Sequence, residues 1–507
     1  MDIASAKEQI KNTVKIYLQK DALGQYRMPL VHQRPVFLKG APGLGKTAIM
    51  QQIAEEMDLG LVSYSMTHHT RQSAIGLPVI VEKEYGGKTY QVSEYTMSEI
   101  IASIYDCMRE TGKKEGILFL DEINCVSETL SPSMLLFLQY KVFGGHQIPE
   151  GWVVVTAGNP PRFNKSVREF DAATRDRLKM LEIEPNYPAW KKYALENKIS
   201  RCVISYLDIR QEDFYKVETT VDGLTVVTPR AWEDLSEILL YHEELGLPVS
   251  EALTTQYLQN KQVARDFAIY YELYQKYRQV YRVEELLAGQ WTEDTLLQAR
   301  SAKMDEKMSL VSLLLESVFD GMSRCTLRHD ALALCVGTLK KQKVSLVRPG
   351  DSLTALAELE DGWRQAAEGA SSAKKKVYIN LLGMTAGWHD TLSFTGSIEA
   401  KAMQNGSASA EIPFKVLGTM YKKEVANLQQ EVARVQEEIG HMLHFLEAAF
   451  GKGVELSMAV NDLTVTPQAT AFIGQFLSTD YFDATRELLL HRQEEQLLHR
   501  IELTGVL

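Results

Sequence analysis

The sequence predicts an α/β fold: a parallel sheet covered by helices on both faces, followed by a long region that is mostly α-helical. Three observations predict it. Short apolar runs at 35–39, 61–65, 116–120, 152–156 and 178–183 alternate with helical or loop sequence, the pattern of parallel strands joined by crossover helices. The first run opens into a glycine-rich turn and then a helical stretch. After Pro185 strand signals become few and helical spacing takes over.

The elements follow in order. Ile3, Ile10, Val14, Ile16 and Tyr17 recur at helical spacing and predict an opening helix over 3–19. The run 35–39 predicts a strand, 48–57 a helix and 61–65 a second strand. Residues 79–81 and 89–92 flank Gly86-Gly87, which predicts a β-hairpin with a tight turn. A helix is expected over 98–110. Past Pro185, Tyr270, Tyr274, Tyr277 and Tyr281 share one helical face and are read as packing. Tyr421, Val425, Leu428, Val432, Val435, Ile439, Met442 and Leu446 alternate in steps of four and three, a heptad seam. That seam fits either a helical hairpin within the chain or self-association. Residues 368–376, ending in Lys374-Lys375-Lys376, and the Gly/Ser/Ala-rich 405–410 are expected to be loops.

Bulk properties narrow the function. At 507 residues the chain calls for two or three domains of about 100–200 residues each. Apolar residues make up 45% and charged residues 24%, an ordinary globular balance. The net charge of −11 argues against electrostatic capture of nucleic acid or an anionic membrane. The five cysteines, Cys107, Cys125, Cys202, Cys325 and Cys335, form no CxxC pair and have no histidines at zinc spacing, so free thiols in a reducing cytosol are expected. The polar N-terminus does not read as a signal peptide, and no apolar stretch approaches the ~18 residues of a membrane span. A soluble, cytoplasmic protein is the expectation.

Gly40-Ala41-Pro42-Gly43-Leu44-Gly45-Lys46-Thr47 matches GxxxxGK[ST] in full. The chemistry explains the residue types. Backbone N–H groups must point inward around phosphates, and glycines allow those backbone angles without a Cβ in the way. The following helix aims the positive end of its dipole at the same anion. Lys46 supplies a full charge for the β- and γ-phosphates, and the Thr47 hydroxyl is a ligand for Mg²⁺.

Gly116-Ile-Leu-Phe-Leu-Asp121-Glu122 is an apolar strand ending in adjacent carboxylates. A buried central strand brings its C-terminal end beside the phosphate loop. Asp121 is then placed to hold Mg²⁺, and Glu122, projecting elsewhere, to polarise an attacking water.

With these motifs in view the sequence resembles the AAA+ superfamily, and within it the MoxR-like group. The resemblance rests on GAPGLGKT, LFLDEIN, TAGNPP, REFDAATRDRL and TPRAWEDLS, in the family's order, over residues 1 to about 245. It implies that Asn159 is the sensor that orients the lytic water beside Glu122. Arg177 then stands at the arginine-finger position that reaches a neighbouring subunit's γ-phosphate, with Arg175 as a rival. Arg230 corresponds to the second sensor, in a helical lid. Residues 67–95 correspond to a hairpin insert of the core. Cys125 departs from the family, which commonly has arginine there.

The resemblance further implies an AAA+ core over 1–186, a helical lid over 187–290 and a mostly helical C-terminal domain over 291–507, to which nothing is carried over. The expected activity is hydrolysis of ATP, with Mg²⁺, by a homo-oligomeric ring, a hexamer in the family's habit. Such a ring remodels or matures a partner protein in the manner of a chaperone, with a von Willebrand factor A domain client implied by analogy. Two alternatives remain at this point: a nucleotide-gated scaffold with little turnover, and a DNA-acting ATPase, which the acidic charge opposes.

Overall fold

Five apolar runs become five parallel strands, and alternate residues along them feed two different cores. Phe37, Leu118, Leu120 and Val154 lie in one buried cluster with Ile100, Ile104, Met134 and Phe137. Val36, Leu38, Ile117, Phe119, Val153 and Val155 lie in another with Ile10, Val14, Ile49 and Ile53. A strand buried on both faces needs apolar residues at every position, which is why the runs show no polar alternation. The helices Glu99–Thr111 and Ser131–Tyr140 contribute to the first cluster, and Ile3–Tyr17 and Ala48–Glu56 to the second. The computed structural model describes residues 1–68, 71–163, 167–197, 199–220, 223–341, 352–389, 391–392 and 412–476.

The strand order across the sheet is Gly60–Ser65, Gly116–Asp121, Trp152–Gly158, Val36–Gly40, Lys179–Ile183. Every neighbouring pair is parallel. Register sets Ser65 opposite Asp121 and Lys39 opposite Gly158, so the C-terminal ends of four strands share one edge. That edge is where an open α/β sheet binds its ligands.

The expected hairpin forms as Pro78–Tyr85 paired with Lys88–Tyr95, longer than the apolar residues alone suggested. Gly86 and Gly87 turn with φ of 58° and 77°, angles that favour glycine. Two further hairpins were not read from the sequence. Val142–Phe143 pairs with His146–Gln147 across Gly144-Gly145, and Lys216–Thr220 pairs with Gly223–Val227. The dipeptides Gly144-Gly145 and Asp222-Gly223 are the signals that mark them.

The chain divides into two compact units. One comprises Met1–Tyr193 and Arg210–Ala268; the other comprises Ala194–Ile209 and Ile269–Leu507. The region expected as a lid, 187–290, is thus shared between them. In the second unit the heptad seam is occupied within the chain. The helix Ile412–Phe450 packs along Met304–Lys341, with Val435, Ile439, Met442 and Leu446 essentially without exposure. Gly321 admits the close approach, since a Cβ there would lie 2.8 Å from Val435. Arg324 and Arg328 pair with Glu431 at 3.3 and 3.6 Å beside the seam. Of the tyrosine stripe, Tyr270, Tyr274 and Tyr281 are buried in packing, as expected, and Tyr277 is half-buried.

One expectation is corrected. Lys374–Lys376 lie in the helix Ser372–Thr385 rather than in a loop; only 369–371 separate it from Ser352–Glu368. Leu381 is fully buried, and Val377 and Leu382 pack against the same apolar cluster, which outweighs three lysines in the unfavourable first turns. The expected loop at 405–410 lies outside the described residues. None of the five cysteines is in a disulfide. No described helix is long and apolar enough to cross a membrane.

Candidate nucleotide site

Two backbone features shape the phosphate loop between the strand Val36–Gly40 and the helix Ala48–Glu56. Gly43 and Gly45 take φ of 75° and 84°, a region costly to any residue with a Cβ. At Gly43 a Cβ would also fall 2.6 Å from Thr228, so the loop needs glycine for close packing as well. Arg230 lies beyond Thr228. Its backbone N–H donates to Gly43 O at 3.3 Å, while Thr228 Oγ1 accepts from Ala231 N and caps the helix Pro229–Leu245. The Arg230 backbone is therefore held beside the phosphate loop, and its side chain is exposed.

Lys46 is only 7% exposed. Its Nζ donates to Gly40 O at 2.9 Å, Ala41 O at 2.8 Å and Asn159 Oδ1 at 3.0 Å. Burial is the main cause that pulls its pKa down, to about 8; Asp121 and Glu122 oppose the shift and Arg230 adds to it. Asn159 follows the last residue of the strand Trp152–Gly158, so it reaches Lys46 across the sheet edge.

Thr47 Oγ1 donates to Asp121 Oδ2 at 2.8 Å. Asp121 Oδ1 accepts from Glu122 N at 2.8 Å. Glu122 has φ 54° and ψ 34°, a left-handed conformation that turns its side chain off the strand direction. Ser65 Oγ donates to Glu122 Oε2 at 3.2 Å. A strained non-glycine residue with a carboxylate at a sheet mouth is a common mark of a working site.

The two arginines of the 168–178 motif differ in placement. Asp171 caps the short helix Ala172–Asp176 through Thr174 N at 2.7 Å, and Arg177 follows as its C-terminal cap residue. Both Arg175 and Arg177 are exposed. Arg175 lines a cavity of about 70 Å³ together with Asn159, Asn124 and Arg168, whereas Arg177 is not among its lining residues. Cys125 lies three residues past Glu122. Burial, then Glu122 and Asp121, raise its thiol pKa, so this position carries no charge.

The donor set suits a magnesium-bound nucleotide. The inward glycines leave room for phosphate, a poorly solvated ammonium awaits an anion, and a hydroxyl beside a carboxylate matches the oxygen ligands Mg²⁺ prefers. Lys46, Thr47, Asp121, Glu122 and Asn159 thus converge, with Arg230 alongside. Ser65, Asn124 and Thr228 also belong to the constellation, although none was singled out from the sequence. Ser65 could be found from the strand register opposite Asp121, and Asn124 from its place in the DEIN motif.

Strand order, phosphate loop and acidic strand end together define an α/β core of the AAA kind. Residues 35–178 match the family model described as an AAA domain of the dynein-related subfamily. The match supports an ATPase of the AAA+ class. No curated protein matches the chain.

Proposed function

We propose that the chain is a Mg²⁺-dependent ATP-hydrolysing AAA+ protein of the MoxR-like group, working as a ring of six that remodels or matures a partner protein. The observation that carries the reading is the 2.8 Å contact between Thr47 Oγ1 and Asp121 Oδ2, which joins the phosphate loop to the acidic strand. Gly40, Ala41, Pro42, Gly43, Leu44 and Gly45 form the cradle, and Lys46 charges it. Thr47 and Asp121 hold the metal, which when bound neutralises charge on the β- and γ-phosphates. Glu122 takes the proton of the attacking water and Asn159 orients that water. Arg230 contacts phosphate from its own chain and Arg177 reaches the neighbour's nucleotide; Arg175, which lines the small cavity that Asn159 also lines, is the rival of Arg177. Guanidinium suits both tasks: it stays charged and offers a planar fork to phosphate oxygens. Among described residues no cluster could hold a structural metal ion. The client with a von Willebrand factor A domain is proposed from the family resemblance.

Mixed assemblies test the ring. Arg177→Ala alone keeps ATP binding and loses turnover; Lys46→Ala alone loses binding. Mixing the two restores part of the turnover, since an intact cradle then meets an intact finger, and the mass rises with ATP. Unrestored turnover together with a monomeric mass at every ATP concentration rejects the ring.

A further inference from the structure

We infer that Asn124 is a positioning residue for turnover: its amide holds the backbone of Asn159 so that the Asn159 side chain is aimed into the nucleotide site. The inference rests on the ATPase reading above.

The strand Trp152–Gly158 ends one residue before Asn159, so the Asn159 carbonyl lies past the sheet ladder. Its acceptor is met by Asn124, whose Nδ2 donates to Asn159 O at 2.8 Å. Pro160 follows, and a residue before proline is confined to extended backbone. The hydrogen bond to the Asn159 carbonyl then fixes the backbone from which the Asn159 side chain leaves, and Lys46 holds its Oδ1 at 3.0 Å. Asn124 is itself held. It sits on the 3₁₀ turn Ile123–Cys125 directly after Glu122, is only 7% exposed, and its carbonyl accepts from Arg168 N at 2.9 Å. The amide therefore bridges the turn carrying the candidate base to the turn carrying the candidate water-orienting group.

Two details speak for positioning over mere filling. Gly158 is the strand's last residue, and a Cβ there would lie 2.3 Å from Asn124 Oδ1, 2.7 Å from its Cγ and 3.0 Å from its Nδ2. The strand end thus gives up a side chain to admit this amide. And Asn124 Oδ1 accepts no hydrogen bond among the described residues, so the amide is not there to satisfy itself at both ends. Asn124 is also one of the residues lining the small cavity that Lys39, Arg168 and Arg175 line.

The test uses Asn124→Ala, Gly158→Ala and the double variant, in the full chain, with kcat, KM for ATP, ATP affinity and Tm measured for each. Asn124→Ala lowers kcat by about 10- to 100-fold, the scale of a small misplacement, while ATP affinity stays within about twofold. Gly158→Ala lowers kcat and Tm together, because its methyl displaces the amide. In the double variant the methyl occupies the space the amide left, so Tm recovers and kcat stays low. Recovery of kcat along with Tm means the amide only fills space, and overturns the inference; so does a parental kcat in Asn124→Ala. A parental protein that binds ATP without turnover overturns the ATPase reading itself, and the inference with it, an outcome visible before any variant is compared.

Discussion

Buried charges in the helical unit and at the nucleotide site are partnered differently. In the helical unit several are paired. Arg201 and Asp462 pair at 3.1 Å with almost no exposure, and Arg201 also lies 4.4 Å from the centre of the Phe319 ring. Glu360 accepts from Thr385 Oγ1 at 2.8 Å and pairs with His389 Nε2 at 2.9 Å; the Tyr270 hydroxyl bonds to those of both Ser205 and Ser309. In the sheet unit Lys46 is equally buried, yet among the described residues its ammonium meets only carbonyl and amide oxygens, and its pKa falls to about 8. A buried charge with its counter-charge in place needs no ligand. A missing counter-charge does not by itself mark a site: Lys141 is 1% exposed, donates to Leu138 O and has its pKa pulled down to about 8 by burial, yet among the described residues no glycine loop surrounds it. Lys46 differs because its bare charge lies within the glycine loop and beside Asn159.

The comparison breaks most visibly at Glu122. Glu122→Gln leaves the phosphate loop and Asp121 intact, so ATP still binds, but turnover falls by about 10²- to 10⁴-fold with the base lost. Single-turnover hydrolysis at the parental rate would show that the carboxylate cluster at the sheet edge is as structural as those in the helical unit.

Next in size is the buried pair. Arg201→Ala takes the guanidinium away from the buried Asp462 carboxylate and lowers stability by about 3–5 kcal/mol, while the joint change Arg201→Met with Asp462→Leu is near neutral. Denaturant titration reads both, and ATP affinity is unchanged throughout. Loss of affinity without loss of stability in Arg201→Ala would move that pair into the functional class.

The smallest effect sharpens the contrast through pH. The Lys46 ammonium has its pKa lowered to about 8 by burial, and a bound polyphosphate favours the charged form, raising the pKa in the complex. Below about pH 8 the lysine is charged with or without ligand, so affinity is flat. Above it, binding must take up a proton, and affinity falls by up to about tenfold per pH unit. Calorimetry near pH 9 in buffers of different ionisation enthalpy detects that uptake. Flat affinity through this range removes Lys46 from the phosphate contact.

Legibility in the sequence tracked how locally each feature is encoded. The phosphate loop is eight consecutive residues whose glycines and lysine state their purpose without reference to the rest of the chain. Asp121 and Glu122 could be read because a run of apolar residues ends in them. The hairpin at 216–227 was missed although Asp222-Gly223 marks it; its strands are largely exposed and lack the apolar weight that made the others stand out. The seam of 421–446 announced that a surface was needed without saying whose. Its partner, Met304–Lys341, lies about a hundred residues earlier, as the 107-residue separation of Arg324 and Glu431 shows.

Periodicity and motif spacing were enough, on their own, to determine the parallel α/β core and the helical character after Pro185, and to single out the residues proposed to cradle phosphate and hold metal, because each depends on neighbours in the chain. Only the tertiary structure decided that Asn124 meets Asn159, that Gly158 and Gly43 are small to admit Asn124 and Thr228, and that Arg175 and Arg177 stand in different surroundings. Those contacts join residues distant in sequence at separations of a few ångströms, and hydrogen bonds and steric repulsion act on that scale alone.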